Sequence, residues 1–344
     1  MRVQISTCPI RQASRVRGVG IYTRQLEAAL VKKYPGDQYT VSSTLQSGID
    51  LIHYPYFEPF FLTMPLTHSV PVVVTVHDLI PLKYPEHFPK GLRGTLKWQL
   101  QKLAVRRANH IITDSKASAE DIARILHYPA QKISVIPLAS GAARTTTKTK
   151  AKVVADYQLP ARFALYVGDL NWNKNIPGLI REFSKLENST LHLVLVGQAF
   201  TAKPPSFELL QVQAAVAASG ARDKIHLIGY VPSHHLPGIY SLATIYVQPS
   251  WDEGFGLTLL EAMAADCPVI SSSRGSLPEV GGDAVIYFNP GKPGDLTEKL
   301  ATLTRSPDVR SQLVELGRLQ LKRFSWDQTA ELTHAIYEKV LANH

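Results

Sequence analysis

The chain has 344 residues, 45% hydrophobic and 19% charged, with two cysteines and a net charge of +9 at pH 7. That length leaves room for two domains of ordinary size, and the composition is that of a soluble globular protein. Cys8 and Cys267 stand far apart, which excludes a disulfide framework and fits a reducing compartment; no CxxC pair or HExxH motif offers a metal site.

The charge is unevenly spread. Residues 1–150 hold 20 Lys/Arg against 9 Asp/Glu, a net +11, and residues 151–344 hold 17 against 19, a net −2. A basic half suits phosphates, an anionic membrane or nucleic acid, with a merely solubilising surface as the alternative. The start Met1-Arg-Val-Gln-Ile-Ser reads as a strand rather than a signal peptide. The apolar run Val70–Val76 is far short of the roughly 20 residues that span a bilayer.

In chain order, strand-like runs in the first half fall at 2–6, 50–53, 71–76, 110–113 and 133–136, and helical stretches at 20–33, 92–109 and 118–127. In the second half the strands fall at 163–167, 191–196, 225–228, 244–248 and 269–272, and the helices at 176–186, 208–218, 257–265 and 294–303. The strands are rich in Val, Ile and Leu with little alternation, as expected where helices cover both faces of a parallel sheet. The polar stretch from Ser140 to Lys150 reads as a flexible connector between two doubly wound domains. Ser325 with Gln328 three residues on is a capping-box start for a last helix.

The densest chemical signal is Pro249-Ser-Trp-Asp-Glu-Gly-Phe-Gly-Leu-Thr-Leu-Leu-Glu261, at the carboxyl end of a strand and opening a helix. Gly254 and Gly256 let backbone approach a ligand and free the amides of a helix N-terminus. Glu253 and Glu261, eight residues apart, serve different ends of a ligand rather than one reacting atom. A second cluster, Val167-Gly-Asp-Leu-Asn-Trp-Asn-Lys174-Asn, also follows a strand. In a third, Arg15-Val-Arg-Gly-Val-Gly-Ile-Tyr22, Gly18 and Gly20 make an anion-friendly turn. Thr23 stands where a dinucleotide fingerprint needs its third glycine, so a dehydrogenase reading is weak. His77 and Asp78 end a strand, and His53 ends another.

The segment from Glu253 to Glu261 resembles the hallmark of the family-4 retaining glycosyltransferases, which have the GT-B fold: α/β, with two Rossmann-like doubly wound domains and a cleft between them. Ile228-Gly-Tyr-Val-Pro232, Ala262–Ile270 and Ser276-Leu-Pro-Glu-Val280 extend the likeness over nearly the whole chain. The resemblance implies an acceptor-binding domain over 1–145, a nucleotide-sugar domain over 146–323 and a helix over 324–344 that crosses back to the first. It implies that Glu253 contacts donor-sugar hydroxyls, that Glu261 holds the ribose, and that the amides of Phe255, Gly256 and Leu257 hold sugar and diphosphate. Gly18 and Gly20 lie against the donor phosphates, His77 near the transferred sugar, and Asp78 and the weaker candidate His53 on the acceptor side. Lys174 matches the family's diphosphate lysine, but Asn173 stands near the family's arginine position, a departure for which Arg17 or Arg274 could compensate.

No Asp-x-Asp motif occurs, so no metal or other cofactor is expected beyond the nucleotide-sugar itself. The closest likeness is to mannosyltransferase-type members: GDP-mannose is the first donor expected, a UDP-sugar the next, and a glycan or lipid-linked molecule the acceptor. Residues 90–107 combine leucines and Trp98 with Lys90, Arg93, Lys97, Lys102, Arg106 and Arg107. That pattern is either a helix on an anionic membrane surface or one whose leucines, Leu96, Leu100 and Leu103, form a core stripe. The expected location is cytoplasmic, with the inner membrane face as the peripheral variant. A non-catalytic protein of the same fold is the rival class, and no base-reading motif supports nucleic acid as a partner.

Overall fold

The computed structural model describes residues 1–7, 18–141, 146–187 and 189–344. The described elements run β1 (Arg2–Ser6), α1 (Gly18–Lys33), β2 (Gln38–Ser42), β3 (Leu51–Tyr54), β4 (Val72–Thr75), α2 (Ile80–Lys83), α3 (Gly91–Arg106), β5 (His110–Thr113), α4 (Lys116–Leu126) and β6 (Ile133–Val135). They continue with α5 (Thr147–Tyr157), β7 (Phe163–Val167), α6 (Ile176–Phe183), β8 (His192–Val196), α7 (Phe207–Ala218), β9 (Ile225–Ile228), α8 (Leu236–Leu242), β10 (Ile245–Gln248) and α9 (Leu257–Ala264). The chain closes with β11 (Val269–Ser272), α10 (Leu277–Gly281), β12 (Val285–Phe288), α11 (Asp295–Arg305), α12 (Pro307–Leu321) and α13 (Trp326–Ala342). Two compact units result: Met1–Ala139 with Phe324–His344, and Ser140–Arg323.

Each unit is built on a six-stranded sheet with every neighbouring pair parallel, ordered β2-β1-β3-β4-β5-β6 in the first and β12-β11-β10-β7-β8-β9 in the second. Central strands such as β4, Val72-Val-Val-Thr, are buried at every position because helices cover both faces. The first core gathers Val74, Trp98, Ile111 and Ile122, and the second Tyr166, Leu193, Leu195 and Val247. Both order reversals, at β1/β3 and at β7/β10, are switch points of the kind where such sheets bind ligands at their carboxyl ends.

The last helix belongs to the first unit. Ser325 caps α13 by accepting from the Gln328 amide at 3.1 Å. His334 stacks on Tyr34 with ring centroids 3.6 Å apart and bonds Asp37 at 2.8 Å, while the Thr329 hydroxyl donates to the Pro137 carbonyl at 2.7 Å.

Three expectations need correction. The connector is not loose throughout: Thr146 caps α5 by accepting from the Thr149 amide at 3.2 Å, so Thr147–Lys150 is helical; residues 142–145 lie outside the described residues. Strands β2 and β12, absent from the sequence reading, each stand at one edge of their sheet and pair on one side only; β2, Gln38-Tyr-Thr-Val-Ser, has no buried position and no apolar run, whereas Val285-Ile-Tyr-Phe288 of β12 is an apolar run that the reading passed over. Helix α3 turns the other way from a leucine core stripe. Trp98, Gln101, Ala104 and Val105 face inward, while Leu92, Leu96, Leu100 and Leu103 are 91%, 66%, 37% and 45% exposed. Gln101 decides that orientation: its Oε1 accepts from the Thr63 amide and hydroxyl at 2.8 and 2.6 Å and from the Met64 amide at 3.2 Å, and its Nε2 donates to the Met64 carbonyl at 3.0 Å.

Candidate functional site

In the second unit, the loops leaving β7 and β10 meet because their strands are neighbours at the switch point. They bring together Lys174 and Glu253, 79 residues apart in sequence: Lys174 Nζ lies 2.8 and 2.7 Å from the two carboxylate oxygens. Oε1 of Glu253 also accepts from Gln248 Nε2 at 2.6 Å and from the Ser250 hydroxyl at 2.7 Å. A buried carboxylate needs such partners, since an unpaired buried charge costs several kcal/mol, of the order of 3–5. In this arrangement Lys174 faces Glu253, whereas the family likeness assigned it to a diphosphate.

The loops are also joined through backbone. The Trp251 amide donates to the Asn173 carbonyl at 2.7 Å, Asn173 Nδ2 to the Asp252 carbonyl at 3.0 Å, and Asn175 Nδ2 to the Pro249 carbonyl at 3.0 Å. Asn173, which stands near the family's arginine position and was counted among the donor-binding candidates, is buried and ties the two loops together. The Ser276 hydroxyl donates to the Glu253 carbonyl at 2.9 Å. Gly275, at φ +56°, lets that segment in: a Cβ there would lie 2.4 Å from Asp252 Oδ1 and 2.9 Å from the Glu253 nitrogen. Arg274, offered in place of the missing arginine, is exposed and donates to Asn289 Oδ1 at 3.2 Å.

Glu261 lies on α9, which Gly256 opens at φ +94°, with Leu257 the first helical residue; Gly254 and Phe255 are buried just before it. Its Oε2 accepts from the Tyr240 hydroxyl at 3.0 Å. Burial pushes its pKa up to about 6 against the opposing effect of that hydrogen bond.

In the first unit, His77 lies just past β4 and Asp114 just past β5, its paired neighbour. His77 Nδ1 is 2.6 Å from Asp114 Oδ2, and Nε2 is 3.2 Å from the Pro55 carbonyl. A carboxylate and a carbonyl both accept, so these two contacts favour the form of His77 with hydrogen on both ring nitrogens. Burial pulls its pKa down, but the Asp114 charge and hydrogen bond outweigh that and leave it above its ordinary value. Tyr22 meets the His77 ring edge-on at 4.9 Å and shares a 3.0 Å hydrogen bond with Thr75.

His53 was expected to reach an acceptor. It is wholly buried instead, with Nδ1 2.6 Å from the Tyr337 hydroxyl and Nε2 2.8 Å from Thr75 Oγ1, and burial drops its pKa to about 3. It joins α13 to the sheet as a neutral strut. Asp78 Oδ1 accepts from the Ile80 amide at 3.0 Å and so shapes the start of α2. Gly18 and Gly20 belong to the first turn of α1 rather than to a loop; Cys8 and Arg17 lie outside the described residues.

Beside α3, a cavity of about 470 Å³ opens at the carboxyl ends of β1 and β3, lined by Gln4, Ser6, Leu45, Leu62, Met64 and Leu100. Sequence reasoning missed it, together with Asp114, Gln248, Ser250, Gly275 and Tyr240. For Asp114 and Gln248 a signal was available: they sit at strand carboxyl ends, the rule already applied to their neighbours.

Two family models match the chain: Glycosyltransferase Family 4 over residues 10–139 and Glycosyl transferases group 1 over residues 149–320. The O-antigen chain mannosyltransferase B of Escherichia coli is 31% identical over 84% of this chain and 75% of its own length. The serotype-specific mannosyltransferase WbdA of Escherichia coli is 27% identical over 78% of this chain, which spans only 33% of that larger protein. Among solved structures, a sucrose-phosphate synthase from Thermosynechococcus elongatus superposes with a TM-score of 0.78 over 99% of both chains at 21% identity.

Proposed function

We propose a mannosyl transfer for this chain, which belongs to the group 1, family 4 glycosyltransferases and has their two-domain GT-B fold. The donor is GDP-mannose and the acceptor a growing glycan or lipid-linked saccharide, in polysaccharide synthesis of the O-antigen type. The mannosyltransferase names of its relatives support the sugar. The single observation that carries the chemistry is the Lys174–Glu253 pair with its two extra donors.

In this reading Glu253 takes hydroxyls of the donor sugar, and Lys174 swings from Glu253 to the diphosphate when the donor arrives. The amides of Phe255, Gly256 and Leu257 receive sugar and phosphate oxygens, and Glu261 the ribose hydroxyls. Oε1 of Glu253 already accepts from three donors, which makes it a poor nucleophile. Retention then follows from attack on the face the diphosphate leaves, the leaving phosphate taking the acceptor's proton. Lys174 and the amides stabilise that leaving charge without a metal; one such donor is worth about 2.7–4 kcal/mol.

The exposed leucines of α3 support a lipid-linked acceptor and an inner-face membrane location. Leu100 both belongs to that stripe and lines the apolar cavity, and Arg93 and Lys97 stand among the leucines. No helix among the described residues is long and apolar enough to cross a membrane.

The test is a panel of GDP-, UDP- and ADP-sugars with purified protein, read by donor consumption and thermal shift. Consumption of GDP-mannose alone is the expected result, with about 2.7 kcal/mol of stabilisation at 100 times the Kd. Consumption of a UDP-sugar alone discards the donor, and inertness toward all of them discards catalysis.

A further inference from the structure

The second unit carries an aromatic feature that the Lys174–Glu253 chemistry does not use. Trp172 and Trp251 stack with ring centroids 6.5 Å apart and planes 18° from parallel, both partly exposed. They stand at one end of a cavity of about 780 Å³ between α6 and α7. Its wall on α7 is small and open: Ala214 and Ala218 line it and are exposed. Arg181 and Gln211, also exposed, and the half-buried Glu208 add planar hydrogen-bonding groups to the lining. Trp251 and Arg181 line a second cavity as well, of about 220 Å³, so the surface continues around α6.

The lining selects a ligand class. The two cavities are lined by Arg181, Lys185 and Lys292 against Glu182 and Glu208, and Lys185 is paired with Glu182, so the groove offers one excess cation rather than the basic cluster that a phosphate or a nucleic acid calls for. Flat aromatic faces with nearby planar polar groups suit a neutral ligand with apolar ring faces and many hydroxyls, and the volume exceeds one sugar ring. We propose that this groove is a glycan-chain subsite, holding saccharide units of the acceptor or product away from the reacting bond. The platform is coupled to the chemistry by short range: Trp172 and Trp251 each precede Lys174 and Glu253 by two residues, and the Trp251 amide is bonded to the Asn173 carbonyl at 2.7 Å.

This inference rests on the glycan-acceptor reading, and the experiment separates the two. Linear mannose oligosaccharides of two to six units are titrated into the full chain by calorimetry, with glucose and N-acetylglucosamine oligomers alongside. Saturable binding that tightens with length is expected, weakened about tenfold in Trp172→Ala, a loss of about 1.4 kcal/mol. Ala214→Trp, which fills the groove from α7, should abolish it even if Trp172→Ala disturbs the loop. The thermal shift with GDP should be unchanged in Ala214→Trp. Oligosaccharide binding equal in wild type and Ala214→Trp overturns the groove, as does the absence of binding by every oligomer. Inertness toward nucleotide sugars, with oligosaccharide binding intact, overturns the reaction and leaves the subsite standing.

Discussion

The two units each present a charged group just past a strand end, and they hold it in opposite ways. In the second unit the anion Glu253 is surrounded by donors, namely Lys174, Gln248 and Ser250. In the first unit His77 faces acceptors, Asp114 and the Pro55 carbonyl, which favour its cationic form. The same architecture, parallel neighbours whose loops meet at carboxyl ends, thus fixes a charge of either sign, with the sign set by a few side chains. One arrangement readies an acceptor for hydroxyls, the other a donor for oxygens.

The largest expected effect breaks the anion side. Glu253→Gln keeps the shape but turns half of the acceptor into a donor facing Lys174, Gln248 and Ser250. Transfer should fall about 10²–10³-fold in kcat, the loss seen when one preorganised electrostatic partner is removed. Steady-state kinetics with saturating donor measure it. A variant within threefold of wild type would leave Glu253 no part in the reaction.

The contrast in legibility follows the same divide. Glu253, Glu261 and the two glycines share one short segment, so spacing and the resemblance together could find them. The pairing of Glu253 with Lys174 could not be found this way: Lys174 was singled out by the resemblance, but 79 residues away and for a diphosphate, and Ser276 reaches Glu253 through Gly275, whose left-handed backbone no pattern announces. In the first unit His77 was found at a strand end, but its charge depends on Asp114, brought near by the pairing of β4 with β5. His53 misled because a histidine at a strand end looks the same whether it faces ligand or core; only Thr75 and Tyr337 show which. The central strands were legible from their apolar runs, as were the edge strands β6 and β9; the polar edge strand β2 was not, and the apolar β12 was passed over. In α3 the leucine pattern left two faces open, and a single glutamine with four hydrogen bonds turns the leucines outward.

A medium effect tests the cation side. Asp114→Asn should destabilise the protein by about 2 kcal/mol at pH 6, the worth of a buried hydrogen bond to a charged group. Because the folded pKa of His77 is raised, the charged pair's contribution is fully present below the unfolded value of about 6.5 and is lost as pH climbs through the folded one. The gap between wild type and variant in urea midpoint should therefore shrink between pH 6 and pH 9. A gap that stays constant over that range would mean that His77 does not change its charge there, and the titrating pair would be discarded.

The smallest effect distinguishes two carboxylates on one segment. Glu261 accepts from the Tyr240 hydroxyl, and burial has moved its pKa up to about 6. Its protonated form is thus favoured by folding, so its contribution to stability declines as pH rises from its unfolded value near 4.5 through 6. Ligand binding should run the other way. Ribose hydroxyls donate to a carboxylate, so affinity for the nucleoside diphosphate should weaken as pH falls through 6, by about three- to tenfold between pH 7 and pH 5. Glu261→Gln, which cannot titrate, should bind more weakly at pH 7 and show a flat profile over the same range. Calorimetric Kd values with GDP at the two pH values decide it. If the variant keeps the slope of the wild type, the titrating group is elsewhere, and the difference between a carboxylate held by three donors and one held by a single tyrosine has no bearing on donor binding.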